Sequence, residues 1–255
     1  MHTISISLQE NNLAEVLAGI AILGILEIHC PNANCCSWHQ SMLYIEAVVS
    51  ELELLQKVQQ FLTEMAWVES LGDVHQGVFK SGNLIGVSPF MDFAKNGTPS
   101  IFKNFSGQVT CHKIAEDQHK AIIGIRSEFF SDWLAVTVTE VSSWGLDWRT
   151  NAHSLDIGFS PNDDNTGKFN PIFPAVEALA TAALAFFLPP TCLLNHEESL
   201  SYFLWTDSIS SSLTAQAFIG NVTGLQGKSY VVARRPKSYG KGASYKYFPA
   251  AIIQN

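Results

Sequence analysis

Acidic residues are absent from the last 35 positions of this 255-residue chain, and charge of either sign is sparse everywhere. Charged residues make up 15% of the sequence, against a usual quarter or so. With 47% hydrophobic residues the chain falls outside the class that stays disordered for want of a core. Cysteines are few and odd in number, at five, which argues against a disulfide framework. The opening residues, Met1-His2-Thr3-Ile4, carry no basic leader region, so the expected location is a reducing cytoplasm. A long hydrophobic run is also missing. Residues 13–28 are nearly all apolar, but Glu15 and Glu27 leave only 16–26 uninterrupted. Spanning a bilayer takes roughly 20 residues, so the segment reads as a buried helix and no membrane partner is expected.

Catalytic signatures are equally scarce. Gly227-Lys228-Ser229 imitates the end of a phosphate-binding loop, but Val222 stands where the first glycine must be. No Gly-x-Ser-x-Gly elbow occurs. Setting Gly167 at the glycine position of a calcium loop puts Phe173 where the bidentate Glu belongs. His112 and His119 flank Glu116 and Asp117 with no group to orient them, and the adjacent Glu197 and Glu198 need not converge. Cys30, Cys35, Cys36 and His39, with His29 adjacent, are the best metal ligands by type, yet they lack a Cys-x-x-Cys pair and a second pair at finger spacing. Cysteines beside an apolar helix are more often small buried hydrophobes. The expectation is therefore a protein that is not an enzyme, with no metal and no cofactor.

What is present is a polarised charge distribution. Lys228, Arg234, Arg235, Lys237, Lys241 and Lys246 fall in the acid-free stretch, interleaved with Tyr230, Tyr239, Tyr245, Tyr247 and Phe248. The remaining 220 residues hold nine basic and twenty-three acidic residues, a balance of −14. Cations supply the sequence-independent part of nucleic-acid affinity, and flat rings stack on bases. The candidate contact residues are Lys228, Arg234, Arg235, Lys237, Tyr239, Lys241, Tyr245 and Lys246. A solvated basic hairpin is the plainer reading of the same residues.

Hydrophobic periodicity outlines the elements. Ile4, Ile6 and Leu8 alternate with Thr3, Ser5 and Ser7, which predicts a strand over 3–8. Asn11-Asn12 caps the apolar helix that follows, and Gly19 and Gly24 inside it imply close backbone packing. Residues 32–40 read as a loop or short strand. An amphipathic helix is predicted over 41–70, on a stripe of Val48, Leu52, Leu55, Leu62 and Met65. Turns and short strands fill 72–110. Strands are expected at 121–125 and 134–141, then a Pro-framed helix over 174–188, a strand at 200–206 and a short helix at 213–219. Residues 230–233 and 245–248 pair as a hairpin around a basic turn at 236–242. The fold class is α+β: mixed or antiparallel sheets with several packed helices and much irregular structure. No internal repeat is evident. The chain reads as one domain over 1–255, with a subdivision point near 165–170 separating 1–168 from a C-terminal part, 169–255.

Three stretches resemble a family of CRISPR-associated proteins. Leu17-Ala-Gly-Ile-Ala-Ile-Leu-Gly-Ile-Leu-Glu27 is similar to a small-residue helix ending in Leu-Leu-Glu. Ser154-Leu-Asp-Ile-Gly-Phe-Ser-Pro161, leading into Pro174-Ala-Val-Glu-Ala-Leu-Ala180, resembles a Leu-Asp-x-Gly-Phe-Ser stretch and its Pro-x-Val-Glu helix. Tyr202-Phe-Leu-Trp-Thr206 and the Ser238–Phe248 tail complete the likeness. Together they resemble the type I-G (formerly I-U) Cas8-like large-subunit family of the Cascade-type effector complex. The chain departs from that pattern at Phe186-Phe-Leu-Pro189, where the family has a basic ending, and at Asn104-Phe-Ser-Gly-Gln108. The resemblance implies a non-catalytic subunit of a crRNA-guided surveillance complex, with crRNA, target DNA and other CRISPR-associated effector subunits as partners. In such complexes guide pairing reads sequence while protein reads shape and backbone. Two other readings stand beside it: a purely structural assembly subunit, whose tail docks on an acidic neighbour, and a metal-dependent nuclease built on the His29–His39 region.

Overall fold

The computed structural model describes residues 1–68, 77–81, 84–88, 101–102, 111–139, 141–150, 171–186, 191–194, 197–239 and 243–254. The fold is α+β. Strand β1 (His2–Ser7) buries Ile4 and Ile6 and leaves its intervening polar residues outward, as alternation requires. Helix α1 (Leu13–His29) is hydrophobic around its whole circumference, and thirteen of its seventeen residues are buried. Such a helix needs cover on every side. Asn12 sits at its N-cap, but its side chain makes no capping bond.

Strands β2 (Cys35–His39) and β3 (Met42–Ala47) form an antiparallel hairpin. Gln40 and Ser41 make its two-residue turn with φ of 51° and 61°, the left-handed pair that matches strand twist. The turn is held from outside: the Ser41 amide donates to Glu10 Oε1 at 3.1 Å and the Leu8 amide to the Ser41 carbonyl at 2.9 Å. Helix α2 (Glu51–Glu64) therefore begins ten residues later than the amphipathic pattern from 41 suggested. Ser50 starts it through a capping box with Glu53. Its buried stripe is Leu54, Leu55, Val58 and Leu62, while Val48 and Leu52 are exposed.

Strands β4 (Ala66–Val68), β5 (Gly77–Ser81) and β6 (Leu84–Ser88) form a three-stranded antiparallel sheet. Helix replaces most of the first strand expected next and the start of the second. Helix α3 (Cys111–Ile123) takes up most of 121–125, because Ile114, Gln118 and Ile122 recur on one face at steps of four. Helix α4 (Phe130–Ala135) takes the start of 134–141, burying Phe130, Trp133 and Leu134. Only an isolated bridge between Val138 and Ile172 remains of the second strand.

Helix α5 (Pro174–Phe186) starts at the proline expected to open it, and its Pro189-Pro190 stop lies outside the described residues. Strands β7 (Thr191–Leu194) and β8 (Glu197–Trp205) follow, then β9 (Ile209–Ser210), a 3-10 turn (Ser211–Leu213) and α6 (Thr214–Phe218). Strand β10 (Gly227–Ala233) leads to β11 (Arg235–Tyr239), β12 (Ala243–Tyr247) and β13 (Ile252–Gln254). Two four-stranded antiparallel sheets result, ordered β1-β3-β2-β9 and β13-β10-β8-β7.

Helices α1 and α5 pack along one another, and the α5 alanines Ala175, Ala178, Ala180, Ala182 and Ala183 are buried. Each helix leads into a hairpin, β2–β3 or β7–β8, and each hairpin takes a third strand beside its second member: β1 beside β3, and β10 beside β8. This recurrence of architecture has no counterpart in the sequence reading, which found no repeat. The continuous hydrophobic core runs from Ile4 to Ala251 and draws on both sides of the 165–170 point. Among the described residues no helix is long and apolar enough to cross a membrane.

Candidate nucleic-acid interface

The basic C-terminal residues divide into two groups. Tyr230, Val231 and Val232 are core residues of β10, which pairs with β8 and β13 and not with 245–248 as expected. The hairpin is formed one strand later, by β11 and β12, which make a two-stranded sheet among the described residues. Arg234 lies between β10 and β11 and is 6% exposed. Its amide donates to the Glu198 carbonyl at 2.8 Å, and its guanidinium donates to the Ile101 carbonyl at 2.9 Å and to the Glu198 carboxylate. Arg234 is thus a buried structural cation, and its assignment as a nucleic-acid contact is corrected. The apolar strand before it and the tethers to Ile101 and Glu198 turn its side chain inward. On the return strand, Phe248 is fully buried with its ring 6.3 Å from that of Phe102. Both ends of the hairpin are therefore fixed to the body.

Arg235 is exposed. Lys228, on β10, is 53% exposed and lies 3.5 Å from Glu10. Glu10 also accepts from Tyr230 at 2.5 Å and from the Ser41 amide. Burial pushes its carboxyl up, but those donors and Lys228 together hold it below the ordinary range. Lys228 is thereby partly committed to an internal partner.

The hairpin register settles which of the other residues share a face. Arg235 stands opposite Tyr247, Lys237 opposite Tyr245, and Tyr239 opposite Ala243. Directly opposed residues lie on one face and successive residues alternate. One face of the ladder therefore holds positions Arg235, Lys237, Tyr239, Ala243, Tyr245 and Tyr247. The other holds Pro236, Ser238, Ser244 and Lys246. Lys241 lies outside the described residues.

The metal candidates do not converge. Cys36 is buried beneath β2, and burial pushes its thiol pKa up. Cys35 and His39 belong to the opposite face, because positions one apart on a strand alternate. They line an open groove of about 390 Å³ with Thr3, Ser37, Tyr44 and Glu46. Among the described residues no three His, Cys, Asp or Glu side chains gather into a metal-binding set. Gly227-Lys228-Ser229 is strand rather than phosphate loop: a side chain at Gly227 would lie 2.1 Å from the Leu204 carbonyl oxygen. The 162–167 turn, the 154–160 stretch and Asn104–Gln108 lie outside the described residues.

Two buried polar networks escaped the sequence reading. In the first, Arg149 bonds Glu15 at 2.8 Å and Asp147 at 2.6 Å, and its guanidinium carbon lies 3.6 Å from the Phe173 ring centre. The Asn12 amide nitrogen donates to both carboxylates, at 3.1 and 3.0 Å, and its side-chain oxygen makes no capping bond to α1. In the second, the wholly buried Glu177 accepts from Ser143 at 2.6 Å, Gln118 at 2.7 Å and the Trp144 amide at 2.8 Å. Burial raises the carboxyl pKa of Glu15 and of Glu177, with Arg149 and the three donors respectively working against it. Glu15 and Glu177 tie α1 and α5 to the 141–150 segment; Gln9 and Asn12 are close to Glu15 in sequence, but Arg149 is distant, and the donors to Glu177 come from Gln118, Ser143 and Trp144, so local pattern carried no signal of either network.

No protein-family model matches this chain, and no curated protein or solved structure matches it.

Proposed function

We propose that this chain is a non-catalytic, cytoplasmic subunit of a crRNA-guided type I surveillance complex, and that its hairpin contacts guide or target strands while its acidic body docks on neighbouring subunits. The reading is supported by one observation: the β11–β12 register assigns Arg235, Lys237 and three tyrosines to a single face of the ladder. The resemblance of the 17–27, 154–180 and 202–248 stretches to the Cas8-like family supplies the kind of assembly. Free thiols at Cys30, Cys35 and Cys36 suit a reducing compartment.

Co-expression with its genomic neighbours should yield a complex that retains small RNA. Replacing Arg235 and Lys237 together by Ala should lower the slope of log affinity against log salt by about 0.7 for each lost contact on a single strand, or about 0.9 on duplex DNA. An unchanged slope in the assembled complex rejects the role of the hairpin. The assembly-subunit reading draws on a different observation: Ile252 and Ile253 of edge strand β13 are 59% and 54% exposed. Cross-links from Tyr245 to protein alone would favour it.

A further inference from the structure

We infer that the groove on the outer face of the β1-β3-β2-β9 sheet is a docking site for an arginine side chain of a partner protein. The inference goes beyond the hairpin's role and stands whether or not the hairpin touches nucleic acid. Strand register builds the site. Glu46 on β3 stands between Thr3 on β1 and Cys35 on β2, and Tyr44, two positions earlier, stands between Ser5 and Ser37. Directly opposed residues share a face, so a carboxylate, a phenol ring and small hydroxyl side chains form one surface. The His39 ring stands against that of Tyr44, with centroids 5.8 Å apart. The groove over these residues holds about 390 Å³. Glu46 is exposed and makes no ion pair or side-chain hydrogen bond among the described residues.

The lining selects the ligand. Neither Lys nor Arg lines the groove, so the Glu46 carboxylate repels anions and attracts a cation. A metal ion needs converging ligands, but Cys35 and His39 are four strand positions apart, about 13 Å at the antiparallel rise. Tyr44 and Glu46 are same-face neighbours about 6.8 Å apart along β3. A guanidinium suits that pair, because it stacks one flat face on a ring and turns its forked N–H edge to a carboxylate. An ammonium is a point charge without a flat face and gains less there. The chain already holds one arginine this way: Arg149 lies 3.6 Å from the Phe173 ring centre while bonding Glu15 and Asp147. In the groove the ring and the carboxylate are present, and the arginine must come from another molecule. The groove is open, so a side chain projecting from a partner's surface reaches it without burying the partner's backbone. The balance of −14 over residues 1–220 draws a positively charged partner to such a surface.

The full-length chain, labelled with nitrogen-15, can be titrated with a capped tripeptide of arginine between two glycines and followed by NMR. The amide signals of Ser37, Tyr44 and Glu46 should shift on binding. The same tripeptide with citrulline, which keeps the shape and loses the charge, should leave them in place, and the lysine tripeptide should bind more weakly than the arginine one. Glu46→Gln should weaken arginine binding by about fivefold, the upper range for an exposed pair. Tyr44→Leu should weaken it by about threefold, and Tyr44→Phe, which keeps the ring, should bind as the parent does. Unchanged thermal melting of each variant separates a lost contact from lost folding, and the citrulline tripeptide decides the matter without any variant. Absence of shifts with arginine, equal binding of citrulline or parental affinity in Glu46→Gln overturns the inference. Free L-arginine binding more tightly than the capped tripeptide also overturns it, since the groove would then take a small metabolite. Glu46→Gln should leave the salt slope of nucleic-acid binding by the assembled complex unchanged, so the groove and the hairpin can each fail alone.

Discussion

Arg234 and Arg235 are neighbours in sequence, one buried and the other exposed. The tethers of Arg234 to Ile101 and Glu198 hold it inward, and no property of the dipeptide Arg-Arg reveals which one turns that way. The Arg234 side chain is 3% exposed, and its partner Glu198 keeps 57% of its surface in water. Arg234→Ala should cost roughly 2–3 kcal/mol in urea unfolding, less than a fully buried pair because Glu198 can rehydrate. An unfolding midpoint unchanged in Arg234→Ala would overturn that structural assignment. The same limit applies to Glu177. Its position in a helix was legible, but the three donors around it come from distant segments.

At the scale of elements, legibility followed the strength of local signals. Strand β1, α1, α5, β8 and the α6 region were readable from alternation, apolar length and proline framing. The helix over 41–70 was half right. The hydrophobic stripe was counted through Val48 and Leu52, whereas the capping pair Ser50 and Glu53 marks the true start. Helices α3 and α4 were missed because Ile122, Ile123 and Leu134 have apolar or β-branched side chains that suit either structure, and tertiary burial decides between them. The hairpin was expected with the wrong first strand, since the β10 residues are taken by β8 and β13. Gly19 in α1 was read as a close contact, and the geometry agrees: a Cβ there would lie 2.8 Å from Trp38 Cη2 and 2.9 Å from Leu8 Cδ1. Gly19→Ala should gain about 1 kcal/mol of helix propensity and lose about 1–3 kcal/mol to overpacking. A net fall in melting temperature is expected, and a rise would show that the Trp38 ring can yield.

For the molecule as a whole, charge was legible as a total but not as a distribution in space. The −14 body conceals carboxylates of two kinds. Glu10 and Glu53 have pKa values held below the ordinary range, and Glu15 and Glu177 have values raised by burial. A raised native pKa means that the folded state takes up its proton first, so its contribution to stability grows as pH falls toward 4.5, the ordinary Glu value, and is lost as pH rises through the native pKa. Glu177→Gln should remove that part of the pH dependence. As pH falls toward 4.5 the parent should gain urea stability relative to Glu177→Gln, and parallel curves would show that burial does not raise the Glu177 pKa in the fold.

The seam between α1 and α5 joins residues 13–29 to residues 174–186. A ribosome delivers the first of these helices about 145 residues before the second. Until then one side of an almost entirely apolar helix has no permanent cover. Contacts this distant in sequence slow folding and leave sticky intermediates exposed. The nascent chain thus has an interval in which holdase chaperones or early-bound sibling subunits can act, and its yield in the cell depends on what meets that helix first.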